Sequence, residues 1–141
     1  MTVITMEEMA KGRTLAQAMG MTAEMGCAMA RLAGAEMEAG RLDAAEIILE
    51  GLAIANPRDP MPWAMLAQVS RRQGKTWAAY LCGEAARRLA PEDVQVRLVH
   101  AEALLGVPGE AARGRQELSA LAGTPGAAGE RARALLQALG A

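Results

Sequence analysis

The sequence predicts an all-α protein of solenoid type, made of three stacked helix–turn–helix units, an N-terminal arm and a closing C-terminal helix. Three observations predict it. Pro57, Pro91 and Pro125 stand 34 residues apart, as do Asp59 and Asp93, Gly40 and Gly74, and Ala45 and Ala79. Such a recurrence marks a stacked-repeat architecture. Apolar residues form 52% of the chain but aromatics only 2%, with no Phe and ten Met, so Ala, Leu and Met must build the core. That core suits closely packed helices and suits sheets poorly, because strands favour aromatic and β-branched residues. Between the punctuating Gly and Pro, apolar residues recur at helical spacing.

The elements follow in chain order. Residues 1–22 read as an arm, in which Thr5-x-x-Glu8 matches a capping box. Met9, Leu15, Ala16 and Met19 outline one helix there, weakened by Gly12 and Gly20. Thr22 is an N-cap for the next helix, whose packing stripe is Met29, Leu32, Ala33 and Glu36, followed by a turn at Gly40. Leu42, Ala45, Ile48, Leu49 and Leu52 form the stripe of its partner. That helix stops at Asn56-Pro57, because the residue before a Pro is pushed out of the α region. In the second unit Asp59 caps a helix opening on Pro60, where Pro is tolerated. Trp63, Leu66, Ala67 and Ser70 face inward, Gly74 turns the chain, and Ala79, Cys82, Ala86 and Leu89 follow. The third unit offers Arg97, His100, Ala101 and Leu104, a turn over Gly106–Gly109, then Leu118 and Leu121. It is degenerate, since Arg113 stands where Ala is expected. The repeats thus cover residues 26–59, 60–93 and 94–126 of a domain spanning 23–141. A closing helix over 127–140 brings Ala132, Leu135, Leu136 and Leu139; such caps cover the apolar end of a solenoid.

Composition excludes several function classes. A chain of 141 residues is one domain by length, and 15 Lys plus Arg against 16 Asp plus Glu leave a net charge of -1. Binding nucleic acid through bulk charge needs a basic surface. No uncharged apolar run approaches the ~20 residues a membrane span needs, and the start carries Glu7 and Glu8 rather than the basic n-region of a secretory signal. Cys27 and Cys82 are far apart and lack CxxC spacing, so neither a disulfide framework nor a zinc site is indicated, and both are expected to be buried thiols. No cofactor or metal is implied, and the expected compartment is the cytoplasm. His100, the only His, reads as a packed core residue with no nucleophile beside it, and phosphate-loop patterns are absent. The chain reads as a protein binder, not an enzyme.

The repeating residues resemble the tetratricopeptide repeat, a helix–turn–helix unit of 34 residues. The second unit carries the likeness at Trp63, Leu66, Ala67, Gly74, Ala79, Ala86 and Pro91, the first at Leu32, Ala33, Gly40, Ala45 and Pro57. An arm, three repeats and one extra helix are also similar to the class II translocator chaperones of bacterial type III secretion. Gly12-Arg13-Thr14-Leu15-Ala16, the stretch from Glu38 to Ala45, and His100 to Leu105 carry that narrower likeness, although the family's groove Tyr and Phe are missing. The resemblance implies a non-enzymatic cytoplasmic chaperone that holds an extended segment of a secreted translocator. A needle-subunit co-chaperone and a generic repeat scaffold remain alternatives.

Helix geometry nominates the binding wall. A helix advances about 100° per residue, so one stripe of each first helix packs on its partner and the opposite stripe lines the concave side. That stripe reads Cys27, Ala30, Gly34 and Met37, then Met61, Ala64, Gln68 and Arg71, then Gln95, Leu98, Glu102 and Leu105. Small Ala and Gly let a peptide backbone come close, Met adapts to irregular apolar shapes, and Gln and Arg bond peptide carbonyls. Each buried apolar anchor contributes ~1.5–3 kcal/mol, so two or three suffice for micromolar binding. The methionines of the arm offer a homodimer surface, and Arg71, Arg72, Lys75, Arg87 and Arg88 form a basic cluster able to steer an acidic client.

Overall fold

A computed structural model describes residues 14–140. A short helix α1 (Leu15–Ala18) precedes three hairpins and a closing helix. The hairpins are α2 (Ala23–Glu38) with α3 (Leu42–Ala55), α4 (Pro60–Arg72) with α5 (Thr76–Leu89), and α6 (Val94–Leu105) with α7 (Ala111–Ala122). The closing helix is α8 (Ala127–Ala138). Among the described residues there is no strand, and the stack has the all-α, three-repeat solenoid architecture predicted from the 34-residue period. The Thr5–Glu8 capping box and Met9 lie outside the described residues. The arm's described helix is instead capped by Thr14, whose hydroxyl accepts from the Gln17 amide while Gln17 accepts from the Thr14 amide, a reciprocal capping box.

Local chemistry repeats with the sequence. Thr22, Asp59 and Asp93 cap α2, α4 and α6, their side-chain oxygens accepting from the amides of Met25, Met61 and Val96. Helices α3 and α5 end on Asn56 and Ala90, whose φ of -143° and -139° leave the α region one residue before Pro57 and Pro91. Gly40 and Gly74 turn their hairpins with φ of +80° and +78°, a backbone state that strains any other residue. At the joint between repeats, Trp63 is half-buried and donates its indole N–H to the Pro57 carbonyl at 2.9 Å.

The degenerate third hairpin has a mechanical explanation. Its turn runs from Gly106 to Glu110, longer than the three-residue turns before α3 and α5. The extra residues move the small-residue position of α7 from Arg113, which stays exposed, to the buried Gly114. A Cβ on Gly114 would stand 3.0 Å from the Ala101 carbonyl and 3.2 Å from the Leu104 Cβ.

The core is built from methyl groups and leucines. Ala33, Ala45, Ala67, Ala79, Ala86 and Ala101 are fully buried, as are Leu49, Leu104, Leu118 and Leu121. Two stripe assignments need correction. Leu32 is exposed, because α2 begins the stack and no earlier repeat among the described residues covers that flank. Leu89 ends α5 and also stays exposed. Polar ties join the later helices. Glu84 of α5 meets the buried His100 of α6 at 2.8 Å and Arg113 of α7 at 3.3 Å, and Arg87 reaches Glu117 at 3.1 Å. Partial burial pushes the Glu84 carboxyl up, but the hydrogen bond and charge of His100, with Arg113 beside it, outweigh that and hold it below the usual range.

Two predictions follow from these contacts. A Cβ on Gly129 of α8 would fall 1.8 Å from the Thr124 carbonyl oxygen, so Gly129→Ala must displace backbone and should lower unfolding free energy by roughly 1–3 kcal/mol in urea titration. A carboxyl held below its unfolded value contributes stability that is present above the ordinary carboxylate range and is lost as pH falls through its lowered folded value. Wild type should therefore lose more stability on acidification through that range than Glu84→Gln, followed by circular dichroism.

Candidate functional site

The first helices of the hairpins and α8 stand side by side on the inner wall, but their spacing is uneven. Contacts between α2 and α4 are sparse, whereas α4 and α6 pack along their length. This difference decides which members of the predicted stripe are available. Ala64 is buried with Ala86 and Val96, because α6 lies against it. Leu98 is buried with Leu118, Leu121 and Ala132, because α8 covers the third repeat from inside. Met37 belongs to the first core. Glu102 is 7% exposed and accepts two hydrogen bonds from Arg131 of α8, at 2.8 and 3.2 Å. Ala64, Leu98 and Met37 are corrected from groove lining to structural residues, while Glu102 is tied down by Arg131 and keeps only a place in a cavity wall. Ala30, Gly34, Gln68 and Leu105 are half-buried, while Met61, Arg71 and Gln95 are exposed.

The available residues fall into two cavities rather than one continuous trough. The first, of about 490 Å³, opens between α1, α2, the end of α3 and the start of α4. Cys27 and Ala30 form one wall, with Gly26 adding no side chain; Met61 and Pro62 form the other. Leu52 and Ala55 line its α3 side, and Ala16 with Met21 line it from the arm. Polar groups stand among them: Thr14, Gln17, Thr22, Asn56 and Asp59. An apolar body with polar groups in its lining suits an apolar side chain whose backbone needs hydrogen-bond partners. The second cavity, about 270 Å³, lies between Arg71, Thr76, Leu105 and Leu135, with Glu102 in its wall. Gly34, Gln68 and Gln95 line neither.

The contribution of α1 and α3 to the first cavity was missed at the sequence level, although the Thr14-x-x-Gln17 pattern that places α1 is visible there. Ala16 is buried and Met21 packs on the first core, so this part of the arm folds back on the first repeat, while Met19 and Met25 stay exposed. Cys27 is exposed, contrary to expectation, and Cys82 is half-buried with its thiol pushed up by burial and by Glu50 and Glu46. The basic cluster is largely consumed: Lys75 pairs with Glu46 at 2.9 Å, Arg87 with Glu117, and Arg72 donates to the Met37 carbonyl. His100 is 1% exposed and held by Glu84, away from both cavities. Among the described residues no group of three or more His, Cys, Asp or Glu is placed to hold a metal, and no helix is long and apolar enough to cross a membrane.

Comparison with known proteins agrees with this architecture. The model of the tetratricopeptide repeat family matches residues 13–69. No curated protein matches the sequence significantly. Among solved structures, the type III secretion translocator chaperone SycD of Yersinia enterocolitica superposes with a TM-score of 0.75 at 19% identity, over 90% of this chain and 98% of that one. A type III secretion system complex from Aeromonas hydrophila gives 0.79 at 18% identity, over 94% and 91%. SycD in an alternative dimer gives 0.70 at 19%, over 83% and 92%. The chain has the tetratricopeptide repeat fold, and in fold it resembles the translocator chaperones.

The corrected burial has a measurable consequence. Ala64→Glu and Leu98→Glu each place a carboxylate in a dry helix interface and should cost on the order of 3 kcal/mol or more. Ala30→Glu, at the cavity wall, should leave the thermal transition by circular dichroism nearly unchanged.

Proposed function

We propose that the chain is a non-enzymatic cytoplasmic chaperone of type III secretion, which holds an extended apolar segment of a secreted partner at its inner wall. The observation that carries this reading is the 490 Å³ cavity between α1, α2 and α4, apolar in its walls and polar in part of its lining. Its support is the fold shared with solved translocator chaperones. Residues 1–22 then serve as an arm that borders the receptor site, and residues 23–141 as the receptor. Secreted subunits expose apolar segments before assembly, and covering one prevents aggregation. An apolar client side chain enters between Ala30 and Met61, and its flanking peptide groups meet Asn56 and Gln17. Arg71 and Leu105 at the second cavity add a further contact along an extended chain.

One observation favours a second reading, in which the protein is a scaffold or needle-subunit co-chaperone that assembles through its arm. Met19 and Met25 remain exposed beside α1 and offer a soft surface for another chain.

The two separate on partner capture from the native cell. Met61→Glu and Ala30→Glu should each weaken partner binding at least tenfold, the loss of one buried apolar anchor, while Met19→Glu combined with Met25→Glu should not abolish it. Bound partner should also slow alkylation of Cys27, which lines the cavity. Partner binding that survives both substitutions, with Cys27 equally reactive, would sink the client reading.

A further inference from the structure

We propose that α2 works as a lever that adjusts the width of the 490 Å³ cavity, with Arg72 as the positioning residue that fixes its pivot. The inference rests on the client reading given above. The two halves of α2 are held differently. Its buried residues, Ala33 and Met37, both lie in its second half, and no residue from Ala23 to Leu32 is buried. The polar ties follow the same division. Arg72, at the end of α4, donates to the Met37 carbonyl in the last turns of α2 at 3.0 Å. Beside it Gln73 donates to Asp43 and Lys75 to Glu46, each at 2.9 Å, so the turn end of the first hairpin is tied to the second. Among the described residues no hydrogen bond or ion pair joins the first half of α2 to α4. Gly26 and Gly34 inside α2 lower its own helical stability further.

The opposite wall is fixed. The Asp59 carboxylate caps α4 by accepting from the Met61 amide, Pro62 and Ala64 are buried in its first turns, and Trp63 donates to the Pro57 carbonyl. Movement at the mouth therefore belongs to α2. From Met37 back to Cys27 a helix runs about 15 Å, so a tilt of about 10° at the tied end carries Cys27 roughly 2.6 Å toward Met61. A gap of ~0.5–1 Å beside an apolar group already forfeits a quarter to a half of its dispersion contact. A cavity with two rigid walls therefore fits one side chain, and a cavity with one movable wall fits several. Segments with few buried contacts supply such motion. Arg72 does not line the cavity; it keeps the far end of α2 on α4, so that only the mouth opens and closes.

The test is the spread of distances between two spin labels in the full chain alone, read by pulsed electron paramagnetic resonance. One pair is Cys27 with Met61→Cys across the mouth. The other is Glu38→Cys with Arg71→Cys across the tied end, the remaining cysteines being replaced by Ala. The mouth pair should show a distribution at least twice as broad as the tied-end pair. Arg72→Met should broaden the tied-end pair toward the width of the mouth, with helical content by circular dichroism unchanged. Arg72→Lys, which keeps a donor for the Met37 carbonyl, should restore the narrow distribution. In unlabelled chains Arg72→Met should weaken partner capture from the native cell about fivefold, and Arg72→Lys less than twofold. The lever is overturned by equal widths at the two ends, by a tied-end distribution that Arg72→Met leaves unchanged, or by capture indifferent to Arg72→Met. The stated widths in a wild type that captures no partner support the lever and count against the client reading alone.

Discussion

The constraint on which the rest of the stack depends is that nothing larger than a methyl group stands where paired helices cross. Ala33 and Ala45, Ala67 and Ala79, then Ala101 and Gly114 take corresponding places in the three hairpins, and all are buried. With so little side chain between them, backbones approach closely, and the leucines beside them fill the remaining space. Interiors packed at that density do not absorb added volume without displacement. Where the turn before α7 lengthens, the smallest residue moves one place along so that the crossing is kept. The phase of the repeat yields there, and the spacing of the helices does not.

Close packing also decides what the inner wall can offer. Once α6 lies against α4 and α8 against α6, the inner side chains of those helices become filling between neighbours. Contacts of α2 with α4 are sparse, and beside α2 a cavity opens that α1 borders. The larger of the two cavities that the predicted stripe reaches therefore lies at the α1 end of the stack. The other end is occupied by the molecule's own closing helix and its Arg131–Glu102 tie.

Much of this was readable from residues alone. The caps at Thr22, Asp59 and Asp93, the stops before Pro57 and Pro91, and the left-handed turns at Gly40 and Gly74 each have a local cause, so local sequence suffices to place them. The binding wall was legible only in part. Periodicity tells which side of a helix a residue occupies, but not whether another helix stands opposite. Ala30 and Ala64 occupy the same repeat position; one borders a cavity and the other is sealed, because their neighbours differ. Leu98 was misplaced for the same reason, and Cys27 in the opposite sense. The walls supplied by Leu52, Ala55 and Ala16 come from elements that the single-stripe picture leaves out.

The two tryptophans occupy opposite surroundings: Trp63 is half-buried and tied to the Pro57 carbonyl at a joint between repeats, and Trp77 stands on the outer surface over Tyr80. The molecule therefore carries two intrinsic optical reporters with separate assignments. A soluble quencher reaches one far more readily than the other. Shielding of the accessible indole registers events on the convex side, while a red shift of the quencher-resistant one registers loosening between the first and second repeats.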